Sequence, residues 1–410
     1  MNVDELVRDS LREQAAEQPP LAADFAERVL TVRRRRCTRA IAGTAAATAA
    51  VVAVAVGVPM LMTESGDEVR PASEMNKSDI IGHPEQSPPR NMIAAGDTAL
   101  SAFYVREAVK QPGGDVVNTR VYGLLDQKTA EYRKTEWAFL DVAPGMRTAA
   151  VLEGELPARR IGLLDMITGK VDRWIPVGHG VASVEFSPDG TKLVATTYSK
   201  NPDRNFADHP QNVNGKEVPG PVASRTGFSV VDVDSGEETW HKAPQWKDEW
   251  GFFYNSREDM EWSQDGRAVF SDIGEKPFRQ YYDLKGDKID VPAVEKYVNY
   301  AEAGLSPNGK LIGGEFAGEG EKISSAIVDS RTGKRVTTVP GQQLLAWADD
   351  ERIIAWGCDP KRCSGKGEFR NQLILLTIGS DKVVQLSGFR KASDDYPGRW
   401  IPVFTERWAD

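Results

Sequence analysis

Aromatic side chains concentrate in one polar stretch of the chain, residues 243–255. Charged residues at 247–249 stand among them, so the rings are interleaved with groups that prefer water. Exposed rings among polar groups suit stacking on a glycan or gripping a peptide. The alternative is that the rings are buried at a junction between repeats, as aromatic side chains usually are. The candidate ligand-binding residues are Trp246, Trp250, Phe252, Phe253 and Tyr254.

No motif of catalysis or of cofactor binding occurs in the sequence. The GxSxG elbow, the HExxH motif and the GxxxxGK[ST] phosphate loop are all absent. The histidines fall in different repeats or in a linker, so they indicate neither a triad nor a metal site: His83, His179, His209 and His241. A formal net charge of -9 argues against non-specific binding to nucleic acid. We therefore predict a binding, scaffold or sensor module that is not an enzyme and needs no cofactor or metal.

An uncharged apolar segment occupies residues 40–62. As a helix it reaches about 35 Å, which is enough for the roughly 30 Å hydrocarbon core of a bilayer. Arginines precede it, namely Arg33, Arg34, Arg35, Arg36 and Arg39, and acidic residues follow it. Because positive residues favour the cytoplasmic side, we predict a single-pass cell-membrane protein with its N-terminus inside and its C-terminal domain outside. The alternative is a cleaved signal peptide with a small-residue site at Ala53-Val54-Ala55.

The cysteines are Cys37, Cys358 and Cys363, and none of them is spaced as a zinc ligand. Cys358 and Cys363 bracket a short turn in the part of the chain that we place outside the membrane. Exported thiols tend to oxidise, and such a turn brings both Cβ atoms within reach, so we predict a disulfide between them. Two free surface thiols are the alternative. Cys37 lies on the reducing side and should stay free.

Residues 1–39 form an amphipathic head with two predicted short helices, one on each side of Pro19-Pro20. Such a head could dock a cytoplasmic protein such as a sigma factor, or it could serve only as a membrane-surface segment. Residues 63–90 are polar and rich in Pro and Ser. This composition predicts a flexible linker that separates the span from the outer domain, residues 91–410.

The outer domain repeats a hairpin signature. A strand runs into Ser-Pro-Asp-Gly or a close variant and then into a second strand, at 187–190, 263–266 and 306–309. Pro, Asp or Asn, and Gly supply the backbone angles that a tight turn needs. A second turn, Asp-x-x-Thr/Ser-Gly, recurs between these hairpins, at 165–169, 232–236 and 329–333. Weaker copies of the hairpin lie at 94–100, 141–151 and 345–354. With these included, most copies are about 42 to 48 residues apart, which is the period of a four-stranded propeller blade.

This spacing predicts an all-β fold, a six-bladed β-propeller, with seven blades as the alternative. The blades begin near residues 91, 136, 180, 258, 300 and 343. Residues 200–226 are an insertion, and residues 400–404 could supply a closing strand. The two kinds of turn resemble those of WD-repeat-like propellers of the TolB type, which are commonly six-bladed. The resemblance covers roughly residues 91–390 and implies architecture rather than function.

Two further resemblances concern the whole layout and one turn. The basic run, the Ala-rich span and the outer propeller together are similar to actinobacterial membrane proteins, which implies a location on the surface of a Gram-positive cell. Residues 232–240 resemble the tryptophan-docking pattern of pyrroloquinoline-quinone-type propellers, with Trp240 as the docking residue. That alternative implies an envelope assembly scaffold or an enzyme. Arg173 and Thr337 stand where the other copies would carry the tryptophan.

Strand direction predicts the side of the propeller on which a ligand binds. Ser-Pro-Asp-Gly turns join the first and second strands of a blade, and Asp-x-x-Thr-Gly turns join the third and fourth, so both lie on one face. The long connections fall on the opposite face, here called the long-loop face: residues 110–118, 200–226, 243–255 and the loop with Cys358 and Cys363. Long loops on a rigid scaffold usually carry recognition. We therefore expect a protein or a cell-wall glycan to bind on the long-loop face.

Overall fold

The structure is a computed structural model that describes residues 78–247, 251, 253, 255–274, 277–299, 301–318, 323–359, 371–390 and 399–408. These residues belong to one compact unit, Asp67–Asp410. The predicted head, the predicted membrane span and the first part of the linker lie outside them, as do Cys37 and Cys363. Within the described ranges no helix is long and apolar enough to cross a bilayer.

The described elements are β-strands apart from a 3-10 turn at Ala293–Glu295, which confirms the all-β prediction. In chain order the strands are β1 (Ile80–Ile81), β2 (Ala94–Ala95), β3 (Thr98–Lys110), β4 (Val116–Asp126), β5 (Glu131–Lys134), β6 (Phe139–Val142), β7 (Thr148–Leu152), β8 (Ala158–Asp165), β9 (Lys170–Phe186), β10 (Lys192–Tyr198), β11 (Arg204–Val213), β12 (Lys216–Gly220), β13 (Arg225–Asp232), β14 (Glu238–Lys242), β15 (Glu261–Trp262), β16 (Ala268–Asp272), β17 (Arg279–Asp283), β18 (Lys288–Ile289), β19 (Leu311–Phe316), β20 (Ser325–Asp329), β21 (Arg335–Val339), β22 (Gln343–Trp347), β23 (Arg352–Gly357), β24 (Gln372–Thr377), β25 (Val383–Gln385) and β26 (Trp400–Glu406).

The described strands pair antiparallel in six successive groups. The first group is β26-β3-β4-β5, and the second is β6-β7-β8 with the first part of β9. The third group begins with the second part of β9 and continues through β10, β13 and β14. The fourth is β15 to β18, and the sixth is β22 to β25. The fifth is β19 to β21, with a bridge from Leu305 to Ile312 at the place of a further strand.

The repeated turns lie where the sequence places them within each group. In the Ser-Pro-Asp-Gly hairpin, Ser187 Oγ donates to Asp189 Oδ1 (2.6 Å), and Gly190 takes a φ of 70° that favours glycine. The same Ser to Asp or Asn bond recurs at 263–266 and 306–309. These hairpins join first to second strands. These turns are short and are held by hydrogen bonds within the turn, so the long connections lie at the opposite ends of the strands.

The Asp-x-x-Thr-Gly turns join third to fourth strands. Asp165 Oδ1 accepts hydrogen bonds from the backbone nitrogens of Ile167 (2.7 Å) and Thr168 (2.8 Å). Asp232 and Asp329 cap their own turns in the same way. Aspartate at this position therefore holds the turn through local hydrogen bonds.

The first group is completed by the C-terminal strand. β26 pairs with β3 from Trp400↔Val105 to Glu406↔Thr98. Trp400 is buried and packs edge-on against Trp356 of the sixth group, with ring centroids 4.7 Å apart. The stretch near residue 91, expected to open the first blade, contributes only the two-residue β2. The C-terminal strand, expected as a closing strand, therefore supplies the first strand of this group.

Hydrophobic clusters join each group to its neighbours. Four separate clusters each contain residues of two groups: the first with the second, the second with the third, the third with the fourth, and the fifth with the sixth. Gln264 Nε2 of the fourth group donates to the Ser306 carbonyl of the fifth (2.9 Å). Leu100 of the first group lies in one cluster with Trp356 of the sixth. Each group therefore contacts the next, and the sixth contacts the first.

The predicted insertion is a strand hairpin, β11–β12, between the second and third strands of the third group. Its beginning pairs with the first group through Arg204↔Val117 and Asn205↔Val116. Residues 110–118 and 200–226 were both predicted to lie on the long-loop face, and this pairing brings them together.

Candidate functional site at the centre of the strand groups

The predicted aromatic residues are only partly described. Trp246 is half-buried, and its backbone nitrogen donates to Glu258 Oε2 (3.1 Å). Phe253 is also half-buried, whereas Trp250, Phe252 and Tyr254 lie outside the described residues. Ligand binding by these five residues therefore stays a prediction.

The disulfide between Cys358 and Cys363 and the tryptophan docking by Trp240 also stay predictions. Cys358 is half-buried directly after β23, and its expected disulfide partner Cys363 lies outside the described residues. Trp240, on which the pyrroloquinoline-quinone resemblance depends, stacks on His179 with centroids 4.2 Å apart and donates its indole hydrogen to Thr197 Oγ1 (3.1 Å). Trp240 thus joins β14 to β9 and β10 within the third group.

A cavity of about 700 Å³, here called the axial cavity, lies where the first strands of four groups meet. Its lining includes Asp141 of β6, Glu185 of β9, Glu261 of β15 and Val403 of β26. A smaller cavity of about 330 Å³ is lined by the first-strand segments of the fifth and sixth groups, by Gln264 in the hairpin turn of the fourth group, and again by β26. β26 borders both cavities, and first-strand segments of the other groups line one cavity or the other. This is the arrangement of a β-propeller.

Three axial carboxylates occupy the same position in successive repeats. Asp141, Glu185 and Glu261 each stand two residues before the Ala or Ser that opens the hairpin turn. Alternation along a strand sends neighbouring side chains to opposite faces. The next residue in each copy is accordingly buried in the core between groups: Val142, Phe186 and Trp262. The carboxylates lie on the cavity side of their strands.

Enclosure by protein raises the pKa of all three axial carboxyl groups. Burial raises the pKa of Asp141 to about 6, although its Oδ2 accepts a hydrogen bond from the Phe186 nitrogen (2.7 Å). Burial, with the charge of Asp272, raises the pKa of Glu261 to about 7. Burial, with the charges of Glu261 and Asp141, raises the pKa of Glu185 well above its usual range. The Glu261 side chain is exposed to the cavity. Because protein surrounds the cavity, the carboxylate is less hydrated there than on an outer surface.

A second cluster on the cavity wall is fully paired. Asp203, from the insertion, accepts hydrogen bonds from Arg120 Nη1 (2.6 Å) and Arg257 Nη2 (2.6 Å). Arg257 Nη1 also donates to Asp259 Oδ2 (2.9 Å). The other carboxylate oxygen of Asp259, Oδ1, accepts a hydrogen bond from the Tyr198 hydroxyl (2.8 Å). Burial alone raises the pKa of Asp203, but the charges of Arg257 and Arg120 outweigh it and hold the pKa at about 2.

An aromatic ring packs between the two guanidinium groups of this cluster. Arg120 lies over the Phe139 ring at 5.3 Å from its centroid, and Arg257 lies over the same ring at 5.2 Å. Cations over ring faces are attracted by the ring quadrupole. The cluster therefore joins β4, the insertion and the segment before β15 into one wall.

Acidic side chains outnumber basic side chains in the lining of the axial cavity. Seven acidic and three basic side chains line it, so it favours a positively charged group over an anion: Asp141, Glu185, Asp203, Glu258, Asp259, Glu261 and Asp272 against Arg106, Arg120 and Arg257. Among the described residues no three His, Cys, Asp or Glu side chains are placed to hold a metal ion together. The chemistry of the lining suits an ammonium or guanidinium group.

Comparison with known proteins gives loose structural similarities. No protein-family model matches the chain, and no curated protein matches it. The chain is similar to Kuenenia stuttgartiensis hydrazine synthase at 15% identity, covering 61% of this chain and 65% of that one, slightly under two thirds of its length, with a TM-score of 0.33. It is similar to TolB from Acinetobacter baumannii at 16% identity, covering 72% and 67%, with a TM-score of 0.38. It is similar to the β-propeller domain of Myceliophteria thermophila Cps50 (Swd1) at 12% identity, covering 73% and 89%, with a TM-score of 0.34.

Proposed function

We propose that the chain is a six-bladed β-propeller that serves as a binding module. The six strand groups, each packed on the next and all bordering one axis, support this count. Closure of the ring by pairing a C-terminal strand with β3 removes the free edges that a propeller must avoid.

We also propose that the module is extracellular and held by one membrane span at residues 40–62. The arginines before the span and the acidic residues after it support this orientation. Protease added to intact cells should then digest residues 64–410 and spare residues 1–39. Release of the whole protein by alkaline washing of membranes would contradict the anchor.

The ligand that fits the axial cavity best is a basic side chain or a terminal amine of a peptide or protein. The observation that carries this proposal is the set of three carboxylates on the axis. Burial disfavours the ionised form of Asp141 and Glu185, and no described basic group lowers the pKa of either. A cationic group that enters the cavity would supply the missing countercharge and favour ionisation.

The test uses the full chain in detergent and two blocked peptides, a Lys-Gly repeat and a Glu-Gly repeat, measured by calorimetry. The Lys-Gly peptide should bind and the Glu-Gly peptide should not. Glu185→Gln and Glu261→Gln should each weaken binding by about tenfold, which is about 1.4 kcal/mol. Affinity should rise between pH 6 and pH 8, because a cation binds the ionised carboxylates and the pKa of Glu261 is about 7.

The matched control is Glu131→Gln, because Glu131 is exposed on β5 outside the axial cavity. It should bind the Lys-Gly peptide as the parent chain does. Equal binding of both peptides, or equal losses in Glu131→Gln and Glu185→Gln, would show that the axial carboxylates do not recognise a cation.

A further inference from the structure

A second cavity, here called the side cavity, lies outside the axis beside β4 and has a volume of about 470 Å³. Its walls come from β4, the connection between β5 and β6, the loop between β7 and β8, and the start of the insertion. This volume falls within the range of small-ligand sites. The cavity is distinct from the axial cavity, although Asn118, Arg120 and Asp203 line both.

The side cavity exists because the outer edge of β4 is only partly paired. β5 pairs with residues 123–126 of β4, and β11 pairs with Val116 and Val117. Between these partners, no described strand pairs with this edge of β4. The Asn118 nitrogen donates to the Asp203 carbonyl (2.9 Å) at one end of the gap, and the Thr135 nitrogen donates to the Tyr122 carbonyl (2.9 Å) at the other.

The closed ends of this gap determine the shape of its occupant. Five residues of strand span roughly 17 Å. A peptide strand added along β4 would run into β5 at one end and β11 at the other, so the gap cannot be extended into a longer sheet. The site therefore fits a compact ligand that meets the edge of β4 from the side.

The charges around the side cavity are balanced. Arg120 pairs with Asp203, and Arg204 pairs with Glu155 through Nη2 and Oε1 (2.6 Å). The remaining charged residues of the lining are one basic and one acidic side chain, Lys134 and Glu136. The lining therefore provides no net charge that would select an ionic ligand, in contrast to the axial cavity.

The lining combines one aromatic ring with polar groups that are free to bond. Trp137 lines the cavity and packs edge-on against Trp174 (centroids 6.3 Å apart), which itself lies under the Arg160 guanidinium at 4.1 Å. This stack holds the Trp137 ring in place. Asn118 lines this cavity as well as the axial cavity, and the described residues make no hydrogen bond to its side-chain amide.

We propose that the side cavity binds a neutral saccharide. A sugar ring presents an apolar C–H face, which packs on an indole, and a rim of hydroxyl groups, which bond to amides and to free strand edges. The side cavity offers a tryptophan ring held in place for the C–H face and an unpaired amide for the hydroxyl groups. Its balanced charge suits a ligand that is neutral. A saccharide is also compact enough for a gap that is closed at both ends.

Binding can be measured by calorimetry on the full chain in a detergent without a sugar head group, with triacetylchitotriose, maltotriose and mannotriose as the probes. At least one probe should bind. Trp137→Ala should weaken that binding by tenfold or more, and Asn118→Ala by three- to tenfold. The matched control is Trp408→Ala, because Trp408 is exposed and outside the side cavity, and it should change nothing.

Asn118→Ala keeps the test decisive if Trp137→Ala unfolds the protein, because the Asn118 amide has no described partner to lose. No binding of any of the three probes by the parent chain would overturn the proposal, and so would equal affinities of Asn118→Ala and the parent. Glu185→Gln should not affect saccharide binding, and Trp137→Ala should not affect binding of the Lys-Gly peptide, because Trp137 lines the side cavity and not the axial cavity. Failure of this site is therefore distinguishable from failure of the axial site.

Discussion

Asp203 and Glu185 border the same cavity, but the protein treats their charges in opposite ways. Asp203 has two arginine partners within hydrogen-bond distance, and its pKa falls to about 2. Glu185 has acidic neighbours, Glu261 and Asp141, and its pKa rises well above the usual range. Protein encloses both carboxyl groups, so the difference between their pKa values comes from the neighbouring charges.

This difference separates a structural region of the cavity from a region available for binding. The Arg120–Asp203–Arg257 cluster has satisfied its charges internally and connects three distant segments. Asp141 and Glu185 have no such partners, so their ionisation depends on what enters the cavity. Substitutions in the first region should therefore change stability, and substitutions in the second should change binding and pH dependence.

The largest expected effect is that of Asp203→Asn. The side chains of Asp203 and Arg257 are each 12% exposed, and that of Arg120 is 4% exposed. Loss of the carboxylate therefore leaves the buried Arg120 guanidinium without its ion-pair partner, whereas Arg257 keeps Asp259. Breaking a buried pair in this way costs about 3–5 kcal/mol. The free energy of unfolding of the full chain, measured by urea titration, should fall by that amount at pH 7.

The matched control for Asp203→Asn is Glu155→Gln. Glu155 pairs with Arg204 on the same insertion, but the Glu155 side chain is 71% exposed. Such exposed pairs contribute about 0–1 kcal/mol, so this variant should unfold almost as the parent does. Equal effects of the two substitutions would mean that water reaches the Asp203 cluster and that Asp203 is not a buried structural carboxylate.

The repeated turns were predictable from sequence because their hydrogen bonds are local. Ser187 bonds to Asp189 two residues away, and Asp165 caps the turn that follows it directly. Residue types at fixed short spacing therefore specify both turns, and the strand order follows from them. The first group departed from the prediction because its first strand comes from the far C-terminal end of the chain.

The paired wall of the axial cavity could not be predicted in the same way. Arg120 and Asp203 are 83 residues apart in the chain, and Asp203 and Arg257 are 54 apart. No periodic pattern links them, because they come from a strand, an insertion and a connection between groups. The axial carboxylates did leave a signal, since an acid stands at the same place before three turns. Only the structure shows that this place faces the axis.

Asp141 and Asp203 should also differ in how they change stability with pH. An unfolded Asp has a pKa of about 3.9, whereas burial raises the folded pKa of Asp141 to about 6. Between these values the unfolded chain loses its proton while the folded chain retains it. Asp141 therefore lowers stability progressively as pH rises from about 4 to about 6, and the loss is complete above that. Asp203 behaves in the opposite sense, because its stabilising effect is lost only as pH falls from about 4 towards 2.

Asp141→Asn should therefore stabilise the protein at pH 7.5 and leave it unchanged near pH 3.5. An asparagine oxygen can still accept the hydrogen bond from the Phe186 nitrogen, so the substitution removes the charge with little change in shape. The gain at pH 7.5 should be about 1–2 kcal/mol, less than the full shift implies because the cavity is open to solvent. Urea midpoints at the two pH values measure it, with Asp172→Asn, exposed on β9, as the control. A variant that is equally destabilised at both pH values would place Asp141 with Asp203 among the structural carboxylates.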